Sequence, residues 1–402
     1  MKSISLKDRL GLISSLLADQ VIMFLIPIIV FNQTNSFFYS GVAYAIEWIP
    51  RVIIIPFSGY FIDKFGEGVV LKISRGVRSV TIAIISSSLY VEYSLSPLIL
   101  GLLGSLISIS NGQSILSFET YSSKTLDGNE LSEEHARIFR LDQISLFISP
   151  LLSFALMELA SFSFFDVSMF AIVLLGLSFL CMERLDFKND NEKNKKVSHF
   201  FKESISEILS NKVLMLFCLV SMSNNFISGV VEASAPGLIV ENYKLGEGFF
   251  SMVMVIPSLF GIAFLSIIPV MNKSIGRIGA YSFASFMMVV FSLTTFLSSG
   301  FHWYIMSYSM SIGFVLIVGN YIRSRRGEII AKKNMGGTIA VMSSINAISL
   351  PLSGFAVSYF SELSTNFIWL IIPPSIVLIV CIPLVGRFHK DDLNRRALAD
   401  SL

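Results

Sequence analysis

A few ionisable side chains stand inside long apolar stretches of this sequence, and these residues could do chemistry. Asp19 lies about ten residues into the first stretch, where a carboxylate could carry a proton, contact a polar ligand or bond a neighbouring helix. In the second stretch Glu47 and Arg51 are four residues apart with the acid first, so they can meet on one helix face beside Pro50. A charge facing lipid is costly, so we expect all three ionisable groups to face a cavity or another helix.

Uncharged and acidic residues in other stretches extend this set. Asn111 is polar at moderate depth, as is the Asn224-Asn225 pair, and Asn224 has about the position in its stretch that Asp19 has in the first. Glu232 is predicted to line a cavity or to contact a gate. Together with the three ionisable groups above, these residues form the predicted substrate and coupling cavity.

A second set of charges lies toward the ends of the stretches. We expect these residues to form salt bridges between helices rather than to contact substrate, and the two arginines at 75 and 78 could instead extend to water. The set consists of Arg75, Arg78, Glu119, Arg140 and Asp142.

The composition predicts that membrane-spanning helices carry these residues. Of the 402 residues 53% are hydrophobic and only 14% are charged, with a mean hydropathy of +0.71, which is too apolar for a soluble protein of this length. Crossing the hydrocarbon takes about 20 mostly apolar residues. The sequence offers twelve such stretches, roughly 9–31, 38–61, 69–92, 97–118, 137–158, 164–183, 213–239, 247–270, 277–298, 301–322, 336–360 and 366–386.

The distribution of basic residues predicts the side on which each loop lies. With the N-terminus in the cytoplasm, the outer loops contain one basic residue, Lys244, while Arg51 lies inside a stretch. The other 28 of the 30 lysines and arginines (30 − 1 − 1) then lie in cytoplasmic loops or at cytoplasmic helix ends. We therefore expect a multi-pass protein of the inner (cytoplasmic) membrane with both termini inside. A formal net charge of +2 gives no reason to expect nucleic-acid binding.

The chain divides into two halves that resemble each other. ISPLLSFA at 148–155 matches SLPLSGFA at 349–356, which lies half a chain further on. Between the halves lies a polar segment at 186–196, followed by HFFKESISEILSNK at 199–212, whose apolar residues fall on one helical face. We predict a six-helix bundle over 1–183, a cytoplasmic linker with an amphipathic helix over 184–212, and a second six-helix bundle over 213–402. That helix lies on the membrane surface or packs on protein.

The loop after the second stretch, GYFIDKFGEGVVLKI at 59–73, resembles the signature loop of the major facilitator superfamily. That pattern is Gly, three residues, Asp, Arg or Lys, any residue, Gly, and two basic residues. Here Glu67-Gly68 replaces the basic pair, and the nearest compensating base is Lys72. A looser copy, MNKSIGRIG, follows at 271–279. The matching residues are Gly59, Asp63, Lys64 and Gly66.

The resemblance implies an all-α integral membrane protein with the major facilitator fold, twelve transmembrane helices in two six-helix pseudo-symmetric bundles. In that family the Asp of the loop lies beside the start of span 11 and helps to lock the outward-facing state. Here span 11 begins with Gly336, Gly337 and Thr338, a bare helix N-terminus that favours a carboxylate such as Asp63. We expect a gate at this point, and the alternative is that Asp63 and Lys64 form a solvated turn.

A narrower resemblance concerns the first two stretches. ADQ at 18–20 followed by LIP resembles a pattern of bacterial exporters of the enterobactin-exporter and macrolide-efflux type. The second stretch also resembles siderophore exporters of that branch. The antiporter signature Gly-Pro-x-x-Gly of drug exporters is replaced here by Ser149-Pro150-x-x-Ser153, which weakens an assignment as a drug antiporter.

These observations together predict a secondary active transporter that works by alternating access and uses protons to export a siderophore or similar polar metabolite. The expected partners are that small molecule, which could be an anionic siderophore, together with protons and the lipid bilayer, and we expect a monomer. The alternatives are a multidrug or macrolide antiporter, a ferroportin-like metal exporter and a lipid flippase.

An enzyme is not expected. A membrane-embedded enzyme would cluster its catalytic residues, whereas the four histidines are scattered, and the three cysteines show neither metal spacing nor a disulfide framework. The sequence contains no Walker-type loop, which argues against direct ATP drive. We therefore predict no cofactor and no bound metal. The residues concerned are His135, His199, His302 and His389, and Cys181, Cys218 and Cys381.

Overall fold

The structure is a computed structural model of the 402-residue chain, and every regular element in its described part is a helix. The described residues are 4–34, 37–91, 95–159, 162–181, 197–245, 250–297, 300–361 and 366–400.

Seven α-helices lie in the described part of the first half of the chain and of the segment after it. Their bounds are Leu6–Thr34 (α1), Phe37–Phe65 (α2), Glu67–Tyr90 (α3), Pro97–Thr125 (α4), Gly128–Phe154 (α5), Phe164–Cys181 (α6) and Val197–Ser210 (α7).

Six further helices follow in the described part of the second half. Their bounds are Lys212–Gly237 (α8), Phe250–Leu297 (α9), Phe301–Ile329 (α10), Met335–Ala347 (α11), Ser349–Ser361 (α12) and Ile368–Asp400 (α13).

These helices reproduce the twelve predicted spans, so the predicted all-helical membrane fold is confirmed. The long α9 holds spans 8 and 9, because Gly276 with φ 72° breaks the helical geometry inside it. Span 11 consists of α11 and α12, which are separated at Ile348. Within the described residues, nine helical segments are long and apolar enough to cross a membrane.

The chain groups into two compact units, and the first consists of Met1–Leu126, Leu141–Ile205 and Ile330–Ser344. Its apolar core surrounds α1, where Ala18, Val21 and Leu25 are almost fully buried. Partners from α3, α4 and α6 include Ile82 and Ile107. Because α1 is enclosed by other helices, the polar residues that it carries are enclosed as well.

The helix α7 carries the amphipathic pattern predicted for the linker, and its aromatic residues pack on protein. Within the first unit the Phe200 ring lies 5.1 Å from that of Tyr60, and the Phe201 ring lies 5.2 Å from that of Phe57, both edge-to-face. Phe200 also fills the space above Gly337, where an added Cβ would overlap its ring. The predicted domain limits stay a prediction, and residues 182–196 lie outside the described part of the chain.

The second unit consists of Asp127–Arg140, Ser206–Ile329 and Ile345–Leu402. Its largest helix contact joins α9 to α10, where the rings of Phe264 and Phe314 meet edge-to-face at 4.8 Å. Gly313 admits this arrangement, because a Cβ there would lie 2.7 Å from the Phe264 ring. The contact between α8 and α12 is equally close, since Gly229 lies directly against Ser353.

Candidate functional site

A buried ion pair joins α1 to α3 in the first unit. Asp19 and Arg78 are both 0% exposed, and Arg78 Nε lies 3.2 Å from Asp19 Oδ1 without hydrogen-bond alignment. Asn111 on α4 completes the group, because its Nδ2 donates to Asp19 Oδ2 at 3.4 Å. Two residues of the predicted cavity, Asp19 and Asn111, are thus brought together. Arg78 was grouped with the helix-end charges, but it lies in the interior beside Asp19.

Arg78 is oriented by the backbone and side chains of α4. Its Nη2 donates to the carbonyl of Ser110 at 2.5 Å and to Ser114 Oγ at 2.7 Å. Its Nη1 and Nε have no hydrogen-bond partner in the described part of the chain. An unsatisfied buried donor costs about 1–3 kcal/mol. The guanidinium therefore retains capacity for an acceptor that the described residues do not supply.

Arg51 reaches α4 close to this group. Its Nη1 donates to Ser108 Oγ at 3.2 Å, and its guanidinium lies over Gly112, where an added Cβ would be 3.4 Å from Nε and Nη2. Small and polar residues on α4 thus admit two arginines within two helical turns. The side chain of Glu47, the predicted partner of Arg51, lies outside the described residues.

A polar layer that the sequence did not reveal lies along the same helices. Gln113 Nε2 donates to Ser58 Oγ of α2 at 3.0 Å, and Ser74 Oγ of α3 donates to Gln113 Oε1 at 2.5 Å. In the sequence, only the position of Gln113 two residues after Asn111 could have indicated it. This layer links α2, α3 and α4 between the Asp19 group and the end of α2.

Asp63, in the last turn of α2 beyond the predicted second span, caps the N-terminus of α11. Its two carboxylate oxygens accept from the amides of Gly336 at 3.0 Å and Gly337 at 2.7 Å. The helix dipole and the bare amides both favour a carboxylate at this point. Glycine is required for the approach, because a Cβ on Gly59 would overlap the Gly336 carbonyl and lie 2.5 Å from Ala340 Cβ.

The charges around Asp63 differ from the sequence expectation. Lys124, in the last turn of α4, places its Nζ 2.8 Å from Glu67 Oε1 and 3.5 Å from Asp63 Oδ1, and its side chain is 1% exposed. Lys72, the expected compensating base, is exposed. Lys64 donates to the Tyr60 hydroxyl at 3.0 Å. No sequence signal pointed to Lys124, because it lies 57 residues from Glu67 and the contact depends on how α3 and α4 pack.

Opposing effects act on the pKa of Asp63. Burial raises the pKa of Asp63 to about 6, and this rise is opposed by the Lys124 ammonium and by the amides of Gly337 and Gly336. The group is therefore ionised at neutral pH but near the point at which mild acid protonates it.

The remaining predicted cavity residues lie on α8 in the second unit. Asn225 Nδ2 donates to the carbonyl of Asn346 at 3.0 Å, just before the break between α11 and α12. Asn224 is 4% exposed, and its Oδ1 has no hydrogen-bond partner among the described residues. Glu232 Oε1 accepts from the Tyr308 hydroxyl at 3.1 Å.

The other helix-end charges have separate surroundings. The guanidinium of Arg75 lies 5.5 Å from the centre of the Phe179 ring, and Arg140 Nη2 donates to the carbonyl of Leu265 at 3.2 Å. Glu119 is buried and Asp142 is partly buried. The salt bridges predicted for these four residues stay a prediction.

Apolar spanning helices that enclose a few charges characterise a multi-pass membrane transporter. The sequence matches the family described as Major Facilitator Superfamily over residues 10–349. This match covers most of the chain, which therefore belongs to that superfamily and is a transporter rather than an enzyme. A comparison with curated protein sequences found no match.

Solved structures with a similar fold come from several kinds of transporter. A bacterial homologue of the iron transporter ferroportin, in an outward-facing state, is 15% identical over 96% of this chain and 98% of its own, with a TM-score of 0.76. The human organic anion transporter MFSD10 (TETRAN) is 12% identical over 94% and 98%, with a TM-score of 0.75. The Escherichia coli fucose:proton symporter FucP is 14% identical over 95% and 98%, with a TM-score of 0.69.

Proposed function

We propose that this transporter works by alternating access and uses the proton gradient to export a polar, anionic metabolite of the siderophore type. The observation that carries the proposal is the buried group of Asp19, Arg78 and Asn111, with Arg51 contacting α4 within the same two turns. Charged groups enclosed in a membrane protein are costly and are kept for transport or coupling more often than for stability.

An anionic cargo fits the charge of this group. Arg51 and Arg78 place two guanidinium groups beside Asp19. Arg78 also has two nitrogen atoms without a hydrogen-bond partner there. Because planar guanidinium groups suit carboxylates and similar oxyanions, an entering anion can compete with Asp19 for Arg78.

Proton coupling follows from the same competition. On the outer side the anion leaves and Asp19 takes up a proton from outside. On the inner side Asp19 releases that proton to the cytoplasm, and the next anion then binds Arg78 in competition with the Asp19 carboxylate. One charge crossing 100 mV supplies about 2.3 kcal/mol, so the gradient is a sufficient source.

The contact between Asp63 and α11 supports a gate at one end of the transport path. In this proposal the contact forms when that end is closed and breaks when it opens. The excess of lysine and arginine in alternate loops supports an inner-membrane location with both termini and this gate on the cytoplasmic side.

The cargoes of the similar structures do not decide the substrate, because an iron transporter homologue, an organic anion transporter and a fucose:proton symporter share this fold. The buried arginines favour an anion over a lipophilic drug or a metal cation. An exchange assay with purified transporter in proteoliposomes tests this directly. The probes are a labelled catecholate siderophore, labelled erythromycin and Fe²⁺, each with and without an imposed pH gradient.

We expect gradient-dependent movement of the siderophore, weak movement of erythromycin and none of Fe²⁺. An arginine-neutral variant, Arg51→Gln, should reduce siderophore movement, whereas the exposed base Lys72→Gln serves as a matched control. Transport of erythromycin or Fe²⁺ alone would contradict the proposed substrate class and favour the corresponding alternative.

A further inference from the structure

Two helix junctions in this chain have a glycine with nearly the same backbone conformation. Gly66, with φ 88° and ψ 157°, precedes α3 in the first unit, and Gly276, with φ 72° and ψ 162°, precedes the second part of α9 in the second unit. Both glycines adopt positive φ, which residues with a side chain rarely do. Each is followed at once by a charged residue, Glu67 or Arg277.

The two charged residues make equivalent ion pairs with opposite signs. Glu67 Oε1 lies 2.8 Å from Lys124 Nζ in the last turn of α4, whereas Arg277 Nη1 lies 2.6 Å from Glu328 Oε1 in the last turn of α10. The side chains of Glu67 and Lys124 are 1% exposed, and those of Arg277 and Glu328 are 16% and 8% exposed.

Each ion pair adjoins a carboxylate that caps a helix. In the second unit Glu328 both pairs with Arg277 and caps a helix, because its Oε1 also accepts from the amide of Gly128 at the start of α5 at 3.1 Å. In the first unit two acids share these roles, since Asp63 caps α11 while Glu67 pairs with Lys124. Lys124 lies 3.5 Å from Asp63, so it contacts both acids.

We propose that Lys124 is the positioning residue of the gate. Held by Glu67, its ammonium keeps the Asp63 carboxylate ionised and directed at the α11 amides, in place of the basic pair that the loop lacks. This inference rests on the proposed gating role of Asp63.

Of the three lysines near the junction, Lys124 is the one placed to stabilise the Asp63 carboxylate. Lys64 is engaged by the Tyr60 hydroxyl, with its Nζ also 5.3 Å from the centre of the Phe65 ring, and Lys72 is exposed. Without Lys124, Asp63 and Glu67 would share a buried site with no neutralising charge from α4. Two carboxylates that share a site repel each other, so the Asp63 contact with α11 should then open.

The test measures gate closure in the full-length protein in nanodiscs, with no substrate present. Spin labels at Val69 and Lys332, which are exposed and outside the ion cluster, report the distance between α3 and the start of α11 after the native cysteines are replaced. We expect Lys124→Met to lower the ratio of closed to open molecules about tenfold, the usual effect of losing a charge-assisted hydrogen bond. Lys124→Arg should keep most of the closure, and Lys72→Met should change nothing.

A charge exchange separates positioning from simple pairing. The variant E67K/K124E restores an ion pair and should recover thermal stability, but it places a carboxylate beside Asp63 and should leave the gate open. Adding Asp63→Asn to this variant should bring closure back. Wild-type closure in E67K/K124E alone would overturn the inference, and this comparison decides the matter even where Lys124→Met does not fold.

The same labels distinguish this inference from the proposed gate itself. Asp63→Ala should open the junction whatever the cargo is. If Asp63→Ala leaves the distances unchanged, the gating role fails. If Asp63→Ala opens the junction and Lys124→Met does not, only the role of Lys124 fails.

Discussion

The junction between α2 and α3 and the junction inside α9 share a glycine turn, an ion pair and a capped helix, but their charges are exchanged. In one, Glu67 meets Lys124, and in the other, Arg277 meets Glu328. The cap itself is a carboxylate in both, because a helix N-terminus is always the positive end of its dipole. The capping residue must therefore be negatively charged, whereas the positive and negative residues of the adjoining ion pair can exchange places.

The exchange follows from which helix supplies the cap. In the second unit the cap, Glu328, belongs to α10, so the residue after Gly276 must be basic to pair with it. In the first unit the cap, Asp63, belongs to α2. The residue on α4 is then a base between two acids, which makes an acid after Gly66 acceptable. In our proposal, a base from another helix takes the place of the basic pair that the signature loop lacks.

The largest expected loss of stability comes from replacing Glu328, because this one residue both pairs with Arg277 and caps α5. Arg325 Nη1 also lies 2.7 Å from Glu328 Oε2, so Glu328→Ala leaves two arginines without their shared acid. We expect a loss of about 3–5 kcal/mol in stability, as for breaking a buried ion pair. Thermal unfolding in detergent measures this loss.

The control for this variant is Glu133→Ala, which removes an exposed pairing with Arg137. An exposed pair contributes little, so the unfolding temperature should hardly change. Equal losses in the two variants would show that Glu328 supports nothing beyond an ordinary surface contact.

A smaller and equal effect is expected at the two glycine turns. Gly66→Ala and Gly276→Ala meet no atom within 4 Å of the new Cβ, so only backbone strain should count. Both positions combine positive φ with extended ψ, a region that essentially only glycine adopts, so we expect a loss of about 1–3 kcal/mol in each. Gly76→Ala on α3, equally uncrowded but helical, should be neutral or stabilising. Markedly unequal losses at the two turns, measured by thermal unfolding, would contradict a shared backbone design.

The smallest expected effect is a response of the first junction to pH. The pKa of Asp63 is about 6 in the closed contact and near its ordinary value of 3.8 when the residue is in water. A raised pKa means that proton uptake favours the closed contact, so this contribution is full below about pH 4 and is lost as the pH rises through about 6.

The closed fraction reported by the spin labels should therefore rise between pH 7.5 and pH 5. In Lys124→Met the midpoint should move to higher pH, because the ammonium that lowers the pKa is gone. Asp63→Asn should show no such response, and a closed fraction that falls on acidification would contradict the assignment.

The helices and the turn at Asp63 could be predicted from the sequence because both depend on local patterns. Apolar stretches of span length mark the helices, and the break in α9 falls between the predicted spans 247–270 and 277–298. Lys124 and Glu328 could not be predicted, because each meets its partner only through the packing of two helices. Arg78 was grouped with the helix-end charges for the same reason, since its depth is set by its contact with Asp19.

The central claim is that Asp19 couples proton movement to anion transport through Arg78. The most direct measurement is gradient-driven siderophore transport in proteoliposomes by the wild type, Asp19→Glu and Asp19→Asn, compared with exchange in the absence of a gradient. We predict that Asp19→Asn loses acceleration by the pH gradient but keeps exchange, while Asp19→Glu retains both. Full acceleration by the gradient in Asp19→Asn would contradict the claim.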